Sequence, residues 1–288
     1  MPIISYSREI EQIAALETIT GAYSEIAALR IDNIKSAFEQ NSLYYEEISQ
    51  IYHLVKRIAN SKESHTEQLA DTSPNRLDTL YVAITSNHGF YGPLNSDAVD
   101  TMIKDARIQK AECMIIGAMG ISYARSMGGA SPFISMAFSL DEPTPEEIYQ
   151  FLGLSLRYKR IFVYYPKYIS MLKQMIDRID ITHSPESNSQ VPPDIKYIFE
   201  PEPPQILSFF EQQVRYLLFA RVLLETNLSR TATRLITMDT AERDAKGLLK
   251  KLYMQERRER RSKINANLVA VSGQLKKWRK QNQQNHHQ

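Results

Sequence analysis

The chain has 288 residues, 43% of them apolar and 24% charged, a composition within the range of folded globular proteins. Ten Gly and 13 Pro favour helices over loop-rich β architecture, and the one Cys, Cys113, excludes a disulfide framework and a multi-thiolate zinc site. The formal charge of +2 conceals a split: residues 204–288 hold 17 Lys and Arg against 7 Asp and Glu, net +10, and the remainder carries −8. Such an imbalance is read either as a solvated basic helix or as a surface for a partner, and charge alone leaves the two even. No apolar run reaches the length of about 18 residues that a membrane span needs. The opening MPIISYSREIEQ lacks a charged-then-apolar leader, so a cytoplasmic protein with no membrane anchor of its own is expected.

Residues 7–60 read as one long helix. Leu16, Ile19, Tyr23 and Ile26 recur at heptad spacing, and Tyr44, Ile48, Ile51, Val55 and Ile58 resume it. No Pro interrupts it between Pro2 and Pro74, and about 54 helical residues would span roughly 80 Å. The polar, Pro-containing segment 61–77 reads as a connector. Then the period changes. Buried strands are expected in LDTLYVAITS, ending near Ser86, in AECMIIGA, ending near Gly117, and in YKRIFVYYP, ending at Pro166. Helical patterns at 97–110 and 145–156 separate them, which implies a mainly parallel α/β sheet. Residues 180–194 read as a turn-rich loop and IKYIFEP as one more strand. From 204 to 280 a second long helix carries the stripe Leu228, Ala232, Leu235, Met238, Ala241, Ala245, Leu248 and Leu252. After the charged QERRERRSK the stripe resumes at Ile264, Leu268, Val271, Leu275 and Trp278. Two terminal helices with apolar seams can hide them against one another. The expected fold is therefore a long antiparallel coiled coil of N- and C-terminal helices with an inserted, mainly parallel α/β (Rossmann-like) domain. Its parts are a coiled-coil helix at 1–60, a connector at 61–77, an α/β domain at 78–203, a second coiled-coil helix at 204–280 and a polar tail at 281–288.

Catalytic signatures are scarce. The sequence has no GxxxxGK[ST] phosphate loop, GxGxxG turn, HExxH helix or GxSxG elbow. His286 and His287 lie in the polar tail, where metal binding is the weaker reading. Asn87-His88-Gly89 follows the first strand, the place where α/β folds often carry sites, and a plain turn is the simpler reading. Asp141-Glu142 and Glu146-Glu147 suit the positive N-terminus of a helix rather than paired-carboxylate catalysis. The basic stretch Arg257, Arg258, Arg260, Arg261 and Lys263, with Lys276, Lys277, Arg279 and Lys280, fits nucleic acid or an acidic protein surface. It lacks a stacking platform, since Trp278 is the sole aromatic beyond Tyr253.

Four segments carry a resemblance. Residues 19–28, ITGAYSEIAA, look like ITKAMxMVAA; residues 84–95, ITSNHGFYGPLN, look like TSDRGLCGGLN; residues 197–203, YIFEPEP, look like YxYEPxP. Glu225, Ser229, Ala232, Arg234, Met238 and Ala241 fit an E-xxx-S-xx-A-x-R-xxx-M-xx-A helix. Together they make the chain similar to the gamma subunit, the central rotor shaft, of F-type ATP synthases, from about residue 8 to 275. Departures mark a divergent member: Gly21 stands for a lysine, Asn87-His88 for Asp-Arg, and about two extra residues lie between Tyr253 and Ile264.

The resemblance implies a non-catalytic shaft without cofactor or metal, coupling rotation driven by ion (proton) flow to the conformational cycle of alpha and beta subunits. It implies an epsilon-type subunit and a membrane rotor ring as further partners, no nucleic acid, and a place on the inner face of an energy-transducing membrane through the complex only. Ile19, Thr20, Tyr23, Arg30, Arg234 and Met238 would face the catalytic subunits. Arg234 would meet a beta-subunit carboxylate, the alternative being a solvent-facing or intra-coil arginine. Ile264, Leu268, Val271 and Leu275 would fill an apolar bearing, and Phe199, Glu200 and Glu202 would lie towards the ring. The alternatives are a gamma-like shaft of an ATPase not coupled to protons, a basic nucleic-acid-binding coiled coil, and an α/β enzyme with helical arms.

Overall fold

The computed structural model describes residues 3–62, 77–127, 132–182 and 203–285. In chain order the elements are α1 (Ile3–Lys62), β1 (Leu77–Ile84), α2 (Leu94–Gln109), β2 (Glu112–Ile116) and α3 (Ala118–Ser126). They continue with β3 (Phe133–Met136), α4 (Pro145–Ser155), β4 (Tyr158–Ser170), β5 (Lys173–Asp180) and α5 (Pro203–Asn285). The chain divides into two compact units, Met1–Glu25 with Met238–Gln288, and Ile26–Thr237.

The first unit is a helix pair. Ile10 packs on Leu249 and Leu252, with Tyr6, Ile13 and Ala14 beside them. Glu17 lies 4.0 Å from Lys246, and a Cβ on Gly21 would meet the Glu242 side chain at 3.4 Å. Rising numbers on one helix meet falling numbers on the other, so the pair is antiparallel, as expected for the coiled coil. The seam itself differs from the apolar stripe read in the sequence. Leu16, Ile19 and Tyr23 are exposed, whereas Ile10, Thr20 and the half-buried Ala14, Glu17 and Gly21 face α5. Small side chains at the seam let two helices approach closely, and the large ones are left on the outer face. On α5 the stripe holds at Met238, Ala245 and Leu252, but Leu249 is buried in place of Leu248. The same register runs α1 out near Arg260, so residues 261–276 of α5 are exposed throughout. Ile264, Leu268, Val271 and Leu275 are therefore not covered by α1, contrary to the seam expected there.

The second unit is built on a five-stranded sheet of order β3-β2-β1-β4-β5. The first four strands are parallel and β5 returns antiparallel to β4. Alternate side chains serve two cores, as the period of a strand requires. Leu80, Val82, Ile84, Met114, Ile116, Ile161, Val163 and Tyr165 face α4, α5 and Tyr45 of α1. Tyr81, Ala83, Cys113, Ile115 and Tyr164 face α2 and α3. A sheet covered on both sides explains why its strands read as continuous apolar runs. The remaining part of α1 is seated by Ile31 and Ile34 against Leu228, and Arg221 lies over the rings of Phe38 and Tyr45.

Three expected strands are present at β1, β2 and β4, with three differences. β4 continues past Pro166 to Ser170, because beyond Tyr164 its neighbour is β5 alone, an edge setting that tolerates proline. The short β3 and α3, and the hairpin strand β5, were not anticipated. β5 ends at Asp180, where the loop expected at 180–194 begins; residues 183–194 of that loop and the expected strand at 195–201 lie outside the described residues. α4 starts on a capping box, Thr144 with Glu147, after Pro at its first position. Asp141 and Glu142 thus stand in the preceding loop rather than on the helix N-terminus, which corrects their reading as dipole partners.

Candidate functional site

In a doubly wound sheet a ligand binds beyond the carboxyl ends of the strands, where the strand order reverses. Here that point lies between β1 and β4. The turn after β1 is held by Thr85, whose hydroxyl donates to the Ile116 carbonyl (2.7 Å) and accepts from the Gly120 N–H (3.1 Å). Gly117 has φ +105°, and a Cβ there would come within 2.2 Å of the Thr85 carbonyl oxygen. Only glycine fits so close an approach at that backbone angle.

The turn then delivers a cluster of polar side chains. The Asn87 N–H donates to Asp141 Oδ1 at 2.6 Å, while its side-chain amide donates to the Phe138 carbonyl and accepts from the Ala118 N–H. His88 Nδ1 lies 3.1 Å from Asp141 Oδ2, and the Tyr91 hydroxyl donates to the same oxygen at 3.0 Å. A carboxylate can only accept, so the His88 hydrogen is on Nδ1. The Arg234 guanidinium donates to the Tyr91 hydroxyl and lies 4.3 Å from its ring centroid. Glu142 accepts from Asn227 at 2.9 Å and has Arg30 at 3.9 Å. Arg230 is 3% exposed.

The electrostatics follow from this packing. Burial would push the Asp141 carboxyl up, but the Asn87 N–H, the His88 hydrogen bond and the field of Arg230 hold it net below the ordinary carboxylate range. Burial, and then the Asp141 charge, push the Tyr91 phenol up to about 12. Tyr91 is therefore a neutral donor at physiological pH. Burial pulls Arg230 down to about 10 against the field of Asp141, which leaves it a cation. The space left among Thr85, Asn87, Asp141 and Arg230 is about 10 Å³, one water at most. The space beyond the ends of β1, β2 and β3 is thus largely filled by the chain's own side chains. Among the described residues, no group of three His, Cys, Asp or Glu side chains could hold a metal ion, and no helix is long and apolar enough to cross a membrane.

The residues singled out in the sequence fall into separate settings. Ile19 and Tyr23 are exposed at 54% and 41% on the outer face of α1. Thr20 turns inward, its hydroxyl bonded to the Leu16 and Glu17 carbonyls of its own helix. Met238 is buried within the helix pair. These two side chains therefore do not present themselves outward. Arg30 is exposed beside Glu142. Arg234 is half-buried against Tyr91, within the chain rather than turned to solvent. Ile264 and Leu268 are exposed and share one helix face by their spacing of four. Phe199, Glu200, Glu202, His286 and His287 lie outside the described residues. Sequence reasoning missed Asn227 and Arg230, gave Asp141 a helix-terminus role instead, and held Tyr91 only as part of the 84–95 segment. The available signal was Asn227, Arg230 and Arg234 at spacings of three and four within an otherwise buried helical stretch.

The geometry defines a coiled-coil protein with an inserted α/β domain, whose long helices carry exposed apolar side chains such as Ile19, Tyr23, Ile264 and Leu268. A model of the ATP synthase family matches residues 3–274, and the chain belongs to that family. It is similar to the ATP synthase gamma chain of Clostridium kluyveri, 24% identical over 94% of this chain and 96% of the relative. It is also similar to that of Clostridium acetobutylicum, 26% identical over 94% and 96%. Among solved structures it shares its fold with a chain from the central stalk and c-ring of Tetrahymena thermophila mitochondrial ATP synthase. That match has a TM-score of 0.55 at 17% identity, covering 77% of this chain and 99% of that one. A chain of the OSCP/F1/c-ring assembly of Euglena gracilis mitochondrial ATP synthase gives 0.53 at 13% identity, covering 88% and 94%.

Proposed function

We propose that the chain is the gamma-type central rotor shaft of an F-type ATP synthase, a non-catalytic subunit that couples ion-driven rotation to the conformational cycle of alpha and beta subunits. One observation carries this reading beyond family membership. Residues 261–276 of α5 are helical and exposed, with Ile264, Leu268, Val271 and Leu275 on one face. A lone helix of this kind is marginal in water and gains from a surrounding sleeve. An apolar bearing formed by alpha and beta subunits supplies one. The basic side chains Arg257, Arg258, Arg260, Arg261 and Lys263 at its base suit an acidic rim.

The outer face of α1, with Ile19 and Tyr23, together with Arg30, forms a second contact with the catalytic subunits. Thr20, Arg234 and Met238 act from within, by setting the helices that carry those contacts. An asymmetric shaft touches equivalent catalytic subunits differently, so its rotation changes which conformation each favours, a coupling free energy between sites. The chain itself carries no catalytic centre and needs no cofactor. An epsilon-type subunit and the membrane rotor ring meet the α/β domain, with Phe199, Glu200 and Glu202 as ring-side contacts by family resemblance. The complex places the chain on the inner face of an energy-transducing membrane.

Affinity purification of the full chain, followed by mass spectrometry, tests this. Recovery of alpha- and beta-type ATPase subunits is expected, and their loss on Leu268→Asp. Recovery of nucleic acid with binding that falls steeply in salt would replace the shaft by a basic nucleic-acid module. ATP hydrolysis without ion uptake in vesicles would replace the proton-coupled shaft by one for a different ATPase.

A further inference from the structure

α5 presents Asn227, Arg230 and Arg234 at spacings of three and four, on one helix face. All three converge on the loops that leave β1 and β3. Asn227 donates to Glu142, Arg234 to Tyr91, and Tyr91 in turn to Asp141. Arg230 is buried, and neither its Nε nor one terminal nitrogen finds an acceptor among the described residues. A buried guanidinium is tolerated only beside a compensating charge. The carboxylate whose field reaches it is that of Asp141. Asp141 is itself fully engaged by Asn87, His88 and Tyr91. Its neighbour Glu142 reaches Arg30 on α1 as well as Asn227 on α5. Asp141 reaches Arg234 of α5 through Tyr91, and Glu142 reaches Asn227 of α5 and Arg30 of α1; the space between Asp141 and Arg230 is about 10 Å³, whereas a groove of about 510 Å³ runs beside Glu142, Arg30 and Asn227.

Apolar packing between a sheet and a helix resists separation but resists sliding poorly, because it has no preferred direction. The hydrogen-bond chain from Asp141 through the Tyr91 hydroxyl to the Arg234 guanidinium is directional and prefers one orientation. From this geometry we infer that Asp141 is the positioning residue of a torsional lock, holding the α/β domain in register with α5 when the shaft is under load. The inference rests on the shaft reading given above. Asp141 touches no substrate. It acts through the Tyr91 hydroxyl on Arg234, and its charge also sets the field at the buried Arg230, while the apolar core is untouched.

The test is the complete complex in sealed vesicles, carrying the wild-type chain, Asp141→Asn, Asp141→Glu or Tyr91→Phe. Complex content, ATP hydrolysis and ATP-driven ion uptake are read together. With Asp141→Asn, hydrolysis per assembled complex stays near wild type whatever the complex content, while ions moved per ATP fall by about fivefold. Asp141→Glu restores part of that ratio. Tyr91→Phe removes only the hydroxyl that links Asp141 to Arg234 and gives a smaller fall, which serves even if Asp141→Asn assembles poorly. A merely structural role would lower complex content and leave the ratio alone. An unchanged ratio in assembled Asp141→Asn or Tyr91→Phe complexes overturns the lock and spares the shaft. A wild-type chain that never assembles with alpha and beta subunits overturns both.

Discussion

Two stretches of the same helix, α5, both carry apolar side chains and have opposite fates. Between Val214 and Ala232 Leu217, Leu218, Phe219, Val222 and Leu228 are buried at 6% exposure or less. Between Arg261 and Lys276 Ile264, Leu268, Val271 and Leu275 are all more than half exposed. The first stretch has a sheet, α4 and α1 against it. The second has lost α1, which runs out near Arg260. An apolar stripe records that a helix wants a partner and not where the partner comes from. The first stripe is satisfied within the chain, and the second is reserved for another.

Four measurements bear on this comparison. The largest contrast pairs Phe219→Ala with Leu268→Ala. Phe219 stacks on Phe151 with ring centroids 4.3 Å apart and is fully buried, so its truncation costs about 3–5 kcal/mol in denaturant unfolding of the chain. Leu268→Ala changes that stability by about 0.5 kcal/mol or less and instead weakens recovery of the partner subunits. Equal losses in the two variants would break the distinction between the stretches. Next comes Gly117→Ala, which sets a Cβ against the Thr85 carbonyl at a left-handed φ. About 2–4 kcal/mol of stability is lost, read by the same unfolding curve, with no selective effect on the exposed stretch.

Asp141→Asn is smaller and depends on pH. The folded carboxyl is held below its ordinary range, so its contribution is present above that range and is lost as pH falls through it. Wild type exceeds the variant by about 1.5–3 kcal/mol at pH 7, and the gap closes as the pH is lowered below the ordinary carboxylate range. A gap that does not narrow in acid would remove the charge from the account. Glu225→Gln is the smallest and has the opposite sign. Burial raises the Glu225 carboxyl against the Tyr165 hydroxyl and the charges of Lys167 and Arg221. Ionising Glu225 is thus costlier in the folded chain than in the unfolded one. Glutamine gains about 0.5–1 kcal/mol at pH 7, and the gain disappears once acid protonates the native side chain.

The two long helices were legible from their length and heptad period, their antiparallel sense from the need of two terminal helices to cover their apolar seams, and the three central strands from continuous apolar runs. The seam of α1 was not. Leu16, Ile19 and Tyr23 make the stronger hydrophobic stripe, yet Ile10, Ala14, Thr20 and Gly21 face α5. Periodicity weighs apolar bulk, whereas close helix approach favours small side chains. β3 has four residues and α3 nine, too short for a period to register. The lock joins Asn87 to Asp141 across 54 residues and Tyr91 to Arg234 across 143, and no local pattern links partners so far apart.

The sequence by itself determined the helix–domain–helix plan, the basic C-terminal arm and the family resemblance, because composition, period and local motifs are properties of neighbouring residues. The tertiary structure alone decided which apolar face is spent within the chain and which remains free. It also decided that the space at the end of β1 is largely filled by Arg230 and Asp141. Both outcomes depend on which distant segments meet, and that is fixed by packing in three dimensions rather than by order along the chain.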